Sequence, residues 1–200
     1  MPYIIRPKRV RRAVAILFGA TLLACAAPAV ASAACPSSPA SEALARFGDH
    51  ALYALLPGST FESGATGWSL SDAEVNTEAG ALGASSLTID GGGQAISPAF
   101  CVSSEYRTFR FFARQASSAG MWPGSLNVSL LWTDVFGRPH DTPVASLQPG
   151  SEWTLSPVLQ LASALPLWMP GSHLQVRLAF QASGSGSWAI DDVFIDPYSR

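Results

Sequence analysis

The sequence predicts an all-β domain, a two-sheet antiparallel β-sandwich of the jelly-roll type, with an N-terminal signal peptide before it. Beyond residue 47, no segment keeps a helical period of 3.6 residues for three turns. Short runs that are β-rich or alternately apolar and polar recur instead between clusters of Gly, Pro, Ser and Asn. About ten such runs without an internal repeat are typical of a sandwich or jelly roll.

The strongest strand prediction is residues 173–181, where apolar residues occupy every second position. Residues 107–114 alternate in the same way. Residues 125–134 and 139–147 flank a Val-Phe-Gly-Arg turn and predict a hairpin. The three glycines at 91–93 are predicted to form a turn. The remaining predicted strands are residues 52–56, 68–71, 85–90, 94–102, 153–161 and 188–196.

The first 33 residues have the features of a secretory signal peptide. Residues 1–12 carry five of the twelve basic residues, residues 13–27 are almost wholly apolar, and Ala31-Ser32-Ala33 is a small-residue cleavage signature. We therefore expect cleavage after Ala33 and a secreted or cell-surface product. The context of Cys25 resembles a bacterial lipoprotein processing site, so a form that is lipid-anchored through Cys25 is the alternative. The apolar region continues beyond Cys25, which favours cleavage after Ala33.

The mature chain is acidic. Removing residues 1–33 leaves seven Arg, no Lys and 14 acidic residues, a formal charge of −7. No cluster of basic residues remains that would bind nucleic acid or anionic lipid. No apolar stretch of the mature chain approaches the roughly 20 residues of a membrane span. The sequence therefore predicts no nucleic-acid partner and no membrane span after cleavage.

Two cysteines, Cys35 and Cys101, remain after cleavage. In an exported chain, two cysteines predict one disulfide. This bond would tie an N-terminal leader, residues 34–50, to the sandwich domain, residues 51–200. On the chain-entropy model, a crosslink that closes so long a loop stabilises the fold by about 3 to 5 kcal/mol.

Two short motifs bracket the predicted sandwich. Near its start, Phe61-Glu62 is followed by Gly64 and by Gly67-Trp68, and near its end stands Ile-Asp-Asp-Val at residues 190–193. These motifs resemble those that bracket galactose-binding-like jelly rolls, a group that includes carbohydrate-binding modules and MAM-type adhesion domains. The resemblance spans residues 52–198 and implies the jelly-roll fold. The chain is also similar to small exported bacterial proteins that consist of this domain alone.

Glu62, Asp191 and Asp192 are the candidate metal ligands. They stand on terminal strands that pair in such a sandwich, and carboxylates that meet backbone carbonyls make an oxygen site suited to calcium. The resemblance implies a structural calcium at this place. Because side chains alternate along a strand, one Asp is expected on the side of Val193 and the other on the side of Ile190, and which of them binds the ion stays open. The alternative is that the carboxylates hydrogen-bond a neighbouring loop or an arginine.

Aromatic rings and polar strand faces supply the candidate ligand-binding residues. Trp122 and Trp168 lie in loops flanked by Pro and Gly, where a ring held at the surface can stack on a sugar. Arg110, Arg114 and Arg177 stand on the polar faces of two predicted strands. These polar faces form a groove if the two strands lie in one sheet, and a solvated surface otherwise. Phe112 is expected to be exposed unless another segment covers it. The candidates are Trp122, Trp168, Arg110, Phe112, Arg114 and Arg177.

The sequence contains no recognised catalytic motif. It has no Gly-x-Ser-x-Gly, His-Glu-x-x-His, phosphate loop or Cys-x-x-Cys. Asp191 and Asp192 are adjacent and diverge along a strand, whereas glycoside hydrolysis needs two acids that face each other across a cleft. We therefore predict an exported, non-catalytic binding module for a carbohydrate or cell-envelope polymer. A structural or adhesion protein that binds another protein, and a small glycan hydrolase or lyase, are the alternatives.

Overall fold

The structure of the protein is a computed structural model that describes residues 39–77, 80–103, 108–117, 124–148, 150–161, 165 and 173–196. All of these residues belong to one compact unit, Ala34–Arg200. The predicted signal peptide, residues 1–33, lies outside the described residues, and so do Cys35, Trp122 and Trp168. None of the described helices is long and apolar enough to span a membrane.

The described part of the chain is almost entirely β-structure, as the sequence predicts. Its one helix is a single 3-10 turn, Ala45–Phe47. The strands are β1 (Ala40–Ser41), β2 (Tyr53–Leu55), β3 (Ser69–Asn76), β4 (Ser86–Ile96), β5 (Phe100–Ser103), β6 (Thr108–Ser117), β7 (Ser125–Thr133), β8 (Pro139–Leu147), β9 (Thr154–Leu155), β10 (Leu159–Gln160), β11 (His173–Ser183) and β12 (Ser187–Asp196).

The strands pair antiparallel and form two layers that join at β4. One layer runs β3–β4–β11–β7–β8, with β5 beside β11; in the other, β12 lies between β2 and β6, and the short β9 and β10 extend β6. The first half of β4 pairs with β12 and its second half with β11. Phe111 of β6 packs on Phe180 of β11 with ring centroids 5.0 Å apart, although the two strands belong to different layers. The layers therefore face each other across one core, which confirms the predicted β-sandwich.

The core takes alternate residues from both layers, as the two-residue period of a strand requires. Each large apolar side chain removed from water contributes about 1.5 to 3 kcal/mol. The largest fully buried side chains are Trp188, Phe61, Phe109, Phe111 and Phe180.

The glycines at 91–93 lie inside β4 and do not form the predicted turn. Gly92 has φ +88°, which only glycine adopts readily. A Cβ atom at Gly91 would overlap the carbonyl oxygen of Gly184, and one at Gly93 would overlap that of Asp72. The glycines therefore let β4 bend, so that its first half pairs with β12 and its second half pairs with β11.

Two Ser-Pro pairs divide predicted strands 94–102 and 153–161. Proline has no N–H to give to a ladder, so a strand ends there. In both pairs the serine hydroxyl donates to the carbonyl of its proline, at 2.9 Å for Ser97 and 3.0 Å for Ser156. The Ser97 hydroxyl also accepts the backbone N–H of Leu178, and the Ser156 hydroxyl accepts that of Phe111.

A bulge in β12 breaks the alternation that we expected around Asp191 and Asp192. Asp192 has φ +47°, and the pairing of β12 with β6 shifts register between Asp191 and Phe194. Ile190 and Val193 consequently both point into the main core, whereas simple alternation puts them on opposite faces. Both aspartates are buried.

The N-terminal segment, residues 39–56, covers the outer face of β6 and β12. Leu44 and Tyr53 of this segment form a second apolar cluster with Phe112 and Phe194. The ring of Phe47 lies 5.4 Å from that of Phe112, centroid to centroid. Phe112 is only 3% exposed as a result, so a covering segment is present.

Candidate functional site

The predicted binding arginines lie in different layers. Arg110 and Arg114 stand on the outer face of β6, and Arg177 stands on the outer face of β11. These strands do not share a sheet face, so the groove that the sequence suggested between them does not form. Trp122 and Trp168 remain predictions because they lie outside the described residues.

Arg110 and Arg114 hold the covering segment and the loop beside it. Arg110 donates to the Ser156 carbonyl at 3.0 Å and to Asp49 at 3.3 Å. The Tyr53 hydroxyl donates to Asp49 at 2.6 Å, a bond that is the main cause of the lowered pKa of Asp49. Burial and the Asp49 carboxylate raise the pKa of Tyr53 to about 12. Arg114 lies over Trp153, 5.1 Å from the ring centroid.

The outer face of β4, β11 and β7 carries a row of three amide side chains, Gln94, Gln181 and Asn127. Gln181 pairs with Gln94 of β4 on one side and with Asn127 of β7 on the other. Asn127 accepts hydrogen bonds from Ser146 at 2.8 Å and from Ser125 at 3.1 Å. This amide row is a ready set of donors and acceptors at a partly exposed surface.

A second row on the same face borders a cavity of about 680 Å³. Arg177 pairs with Leu131, and Leu131 pairs with Asp141 on β8. The cavity lies at the end of the sheet nearest the β7–β8 turn. Its lining includes Leu131, Trp132, His140, Asp141, Gln175 and Arg177.

Trp132 and His140 form a stacked pair within this lining, on the core-facing side of β7 and β8, because Trp132 pairs with Val176 of the main core. Their ring centroids are 4.1 Å apart and their planes are 13° from parallel. The indole Nε1 donates to Thr142 at 3.0 Å, and Asp134 hydrogen-bonds the His140 ring at 3.1 Å. The sequence analysis did not single out this pair, although pairing residues outward from the turn at 134–138 places the two rings opposite each other.

Glu62, Asp191 and Asp192 form an acidic cluster around residues 80–85, although Glu62 lies in the segment between β2 and β3 and not on a terminal strand. Glu62 Oε1 accepts the backbone N–H groups of Ala84 at 2.7 Å and Ser85 at 2.8 Å. Asp191 Oδ2 accepts the N–H of Ala81 at 2.8 Å, and its Oδ1 accepts that of Asp192 at 2.9 Å.

The acidic cluster has strong internal repulsion. Burial raises the pKa of Asp191 to about 7, and the carboxylates of Asp192 and Glu62 add to the rise. Burial and Glu62 raise the pKa of Asp192 to about 6, while Arg46 opposes the rise. The Ser85 N–H, by contrast, lowers the pKa of Glu62.

Asp192 differs from the other two carboxylates because its Oδ2 atom is buried and has no hydrogen-bond partner among the described residues. A bound cation would coordinate this oxygen in place of a hydrogen-bond donor. Within the described ranges, no three His, Cys, Asp or Glu side chains are placed to hold a metal by themselves. Backbone carbonyls or waters would therefore have to complete the coordination of any ion here.

The strand pairing makes the described chain an antiparallel β-sandwich, and its fold is that of solved carbohydrate-binding modules. No family model and no curated protein matches the chain. Solved structures do match it, among them carbohydrate-binding modules.

One is the CBM22-1 xylan-binding domain of Paenibacillus barcinonensis Xyn10C, with a TM-score of 0.52 and 18% identity over 70% of this chain and 94% of that one. The tandem CBM22-1–CBM22-2 domain of the same protein gives a TM-score of 0.54 and 19% identity over 72% of this chain and 44% of that one. At these identities the likeness establishes the fold alone.

Proposed function

We propose that the protein is an exported, non-catalytic module that binds a carbohydrate or a cell-envelope polymer. Its ligand site would be the cavity at the end of β7, β8 and β11, with the amide row on the outer face. The observation that carries this proposal is the lining of the cavity, which combines the stacked Trp132–His140 pair on the core-facing side of the sheet with Gln175 and Arg177 on the outer side. Aromatic rings pack against sugar rings, and guanidinium and amide groups bond sugar hydroxyls, so the lining combines the two kinds of contact that a glycan needs.

The carboxylates favour binding over hydrolysis. Glycoside hydrolysis uses two acids that flank the scissile bond, roughly 5 to 10 Å apart. Among the described lining residues of the cavity, Asp141 is the single carboxylate. The acidic cluster belongs to β12 and to the segment between β2 and β3, and the cavity belongs to β7, β8 and β11. This separation supports a module without catalytic activity.

The test is retention of the mature chain, residues 34–200, on insoluble xylan, cellulose and cell-wall preparations. Gln175→Ala and Arg177→Ala should each reduce retention several-fold. Gln160→Ala is the matched control, because Gln160 is also exposed on a strand but lies on β10 in the other layer. Equal retention of all three variants would refute the site, and retention on no polysaccharide would refute the function.

We also propose that the acidic cluster binds a structural calcium ion. Glu62 and Asp192 would be the side-chain ligands, and the unpartnered Oδ2 of Asp192 supports Asp192 over Asp191, whose two oxygens already accept backbone N–H groups. A calcium ion there would offset the repulsion among the three carboxylates.

Export and the Cys35–Cys101 disulfide belong to the same proposal. Cys101 lies on β5, where it pairs with Gln175 of β11, and Cys35 lies outside the described residues. The mass of the exported product, measured with a thiol reagent, checks both: we expect a chain that begins at Ala34 and carries no free thiol.

A further inference from the structure

The turn between β7 and β8 exposes two apolar side chains side by side. Val135 is 95% exposed and Phe136 is 80% exposed, the largest exposures of any large apolar residues in the described part of the chain. Neighbouring exposed apolar residues on a protein surface mark contact sites more often than isolated ones do. The turn therefore has a surface that only a partner would cover.

Hydrogen bonds from the backbone to Asp134 close the turn. Asp134 Oδ1 accepts the backbone N–H groups of Phe136 and Arg138, both at 2.9 Å. The backbone closes the same turn, because Gly137 donates to the Asp134 carbonyl at 3.0 Å and Gly137 has φ +78°. The backbone of Phe136 is thus restrained by these bonds, which lowers the entropy cost of binding through it.

The turn is continuous with the cavity. Thr133 and Pro139, which directly precede and follow the turn segment, line the cavity together with Leu131. From Leu131 to Asp134 the strand rises about 10 Å at 3.3 Å per residue. A ligand that touches both Leu131 and Phe136 must consequently be longer than a single sugar ring.

The charges along this path cancel. Arg177 and Asp141 stand at the cavity, and Arg138 and Asp134 stand at the turn. Arg138 lies over the Phe136 ring, 5.8 Å from its centroid, which leaves the other ring face for a partner. Balanced charge beside an aromatic ring suits an uncharged sugar chain better than an anionic polymer or a lipid surface.

We propose that Phe136 is the outer subsite of the glycan site, so that the ligand is an uncharged polysaccharide chain that runs from the cavity to the β7–β8 turn. This inference rests on the proposed carbohydrate-binding function. It adds that the site distinguishes long chains from short ones, because only a chain of several sugars reaches both the cavity and Phe136.

The experiment measures the affinity of the mature chain for oligosaccharides of increasing length, from the disaccharide to the hexasaccharide. They are prepared from whichever of xylan, cellulose or the cell-wall glycans retains the protein, and binding is followed by calorimetry. Phe136→Ala should lower the affinity for the hexasaccharide by about 3- to 10-fold, the size of an aromatic stacking contact. It should leave the affinity for the disaccharide and the melting temperature unchanged, and Phe136→Tyr should restore long-chain binding.

Val158→Ala is the control, because Val158 is 51% exposed between β9 and β10 and lies outside the proposed path. Equal loss at both lengths, or no loss at either, would overturn the role of Phe136 and leave the cavity site standing. A Phe136→Ala variant that changes only the self-association of the protein, measured by sedimentation, would also overturn the role of Phe136. Absence of binding to every glycan would overturn the proposed function and this inference together.

Discussion

Arg177 on β11 and Arg110 on β6 stand on strands with the same alternating pattern, yet their surroundings are opposite. Arg177 is exposed beside a cavity, whereas Arg110 is held by Asp49 and Ser156 under the N-terminal segment. Phe112, two residues after Arg110 on the same strand, is buried against Phe47. One outer face of the sandwich is therefore open to a ligand, and the other is part of a second core.

This difference teaches that a polar strand face does not by itself indicate a binding surface. Alternation separates the side that faces the main core from the side that does not. Whether the second side meets water depends on segments distant in sequence. Here residues 39–56 supply the cover for β6, and no described segment supplies one for the corresponding part of β11.

The largest effect should come from the covered face. Phe112→Ala removes a fully buried aromatic ring and should lower the free energy of unfolding by about 3 to 5 kcal/mol. Thr133→Ala, at an exposed position on the open face, should change it by less than about 0.5 kcal/mol. Urea unfolding of both variants measures the contrast, and similar values would show that the covering segment does not pack as a core.

A smaller effect should come from the acidic cluster, through pH. Asp191 and Asp192 have pKa values of about 7 and 6 in the folded protein, above the 3.8 of the free side chain. A carboxyl group whose pKa rises on folding stabilises the fold while it is protonated, and this stabilisation is lost as the pH rises through the raised pKa. With a chelator present, the melting temperature should therefore fall by several degrees between pH 5 and pH 8.

Calcium should reverse that fall, because it binds the ionised carboxylates and stabilises only the folded state. Asp192→Asn should abolish the calcium-dependent rise at pH 8, while Asp141→Asn on the open face should retain it. Glycan retention should be similar with calcium and with chelator, so long as the protein stays folded. Identical melting curves with calcium and with chelator would rule out the ion.

The local features of the fold could be predicted from the sequence. The period of residues 173–181 predicted β11, and the turn residues predicted the β7–β8 hairpin with β8 at its observed bounds. The bracketing motifs predicted Glu62 near one of the two aspartates; Glu62 lies near both, but in the segment between β2 and β3 and not on a strand that pairs with β12. The two strand features follow from rules that act within a few residues.

What the sequence could not predict depends on long-range packing. The bend at the glycines of β4 depends on the carbonyls of Gly184 and Asp72, and the cover over Phe112 depends on a segment more than fifty residues earlier. The bulge at Asp192 depends on how β12 changes register against β6. The cavity likewise needs three strands at once, so no single strand pattern indicates it.

Hydrogen exchange with and without a retained glycan tests the difference between the two faces most directly. The backbone amides of residues 131–141 and 175–181 should exchange more slowly when the glycan is bound, and those of residues 108–114 and 44–53 should not change. Slower exchange confined to the second set would place the ligand on the covered side and contradict the account.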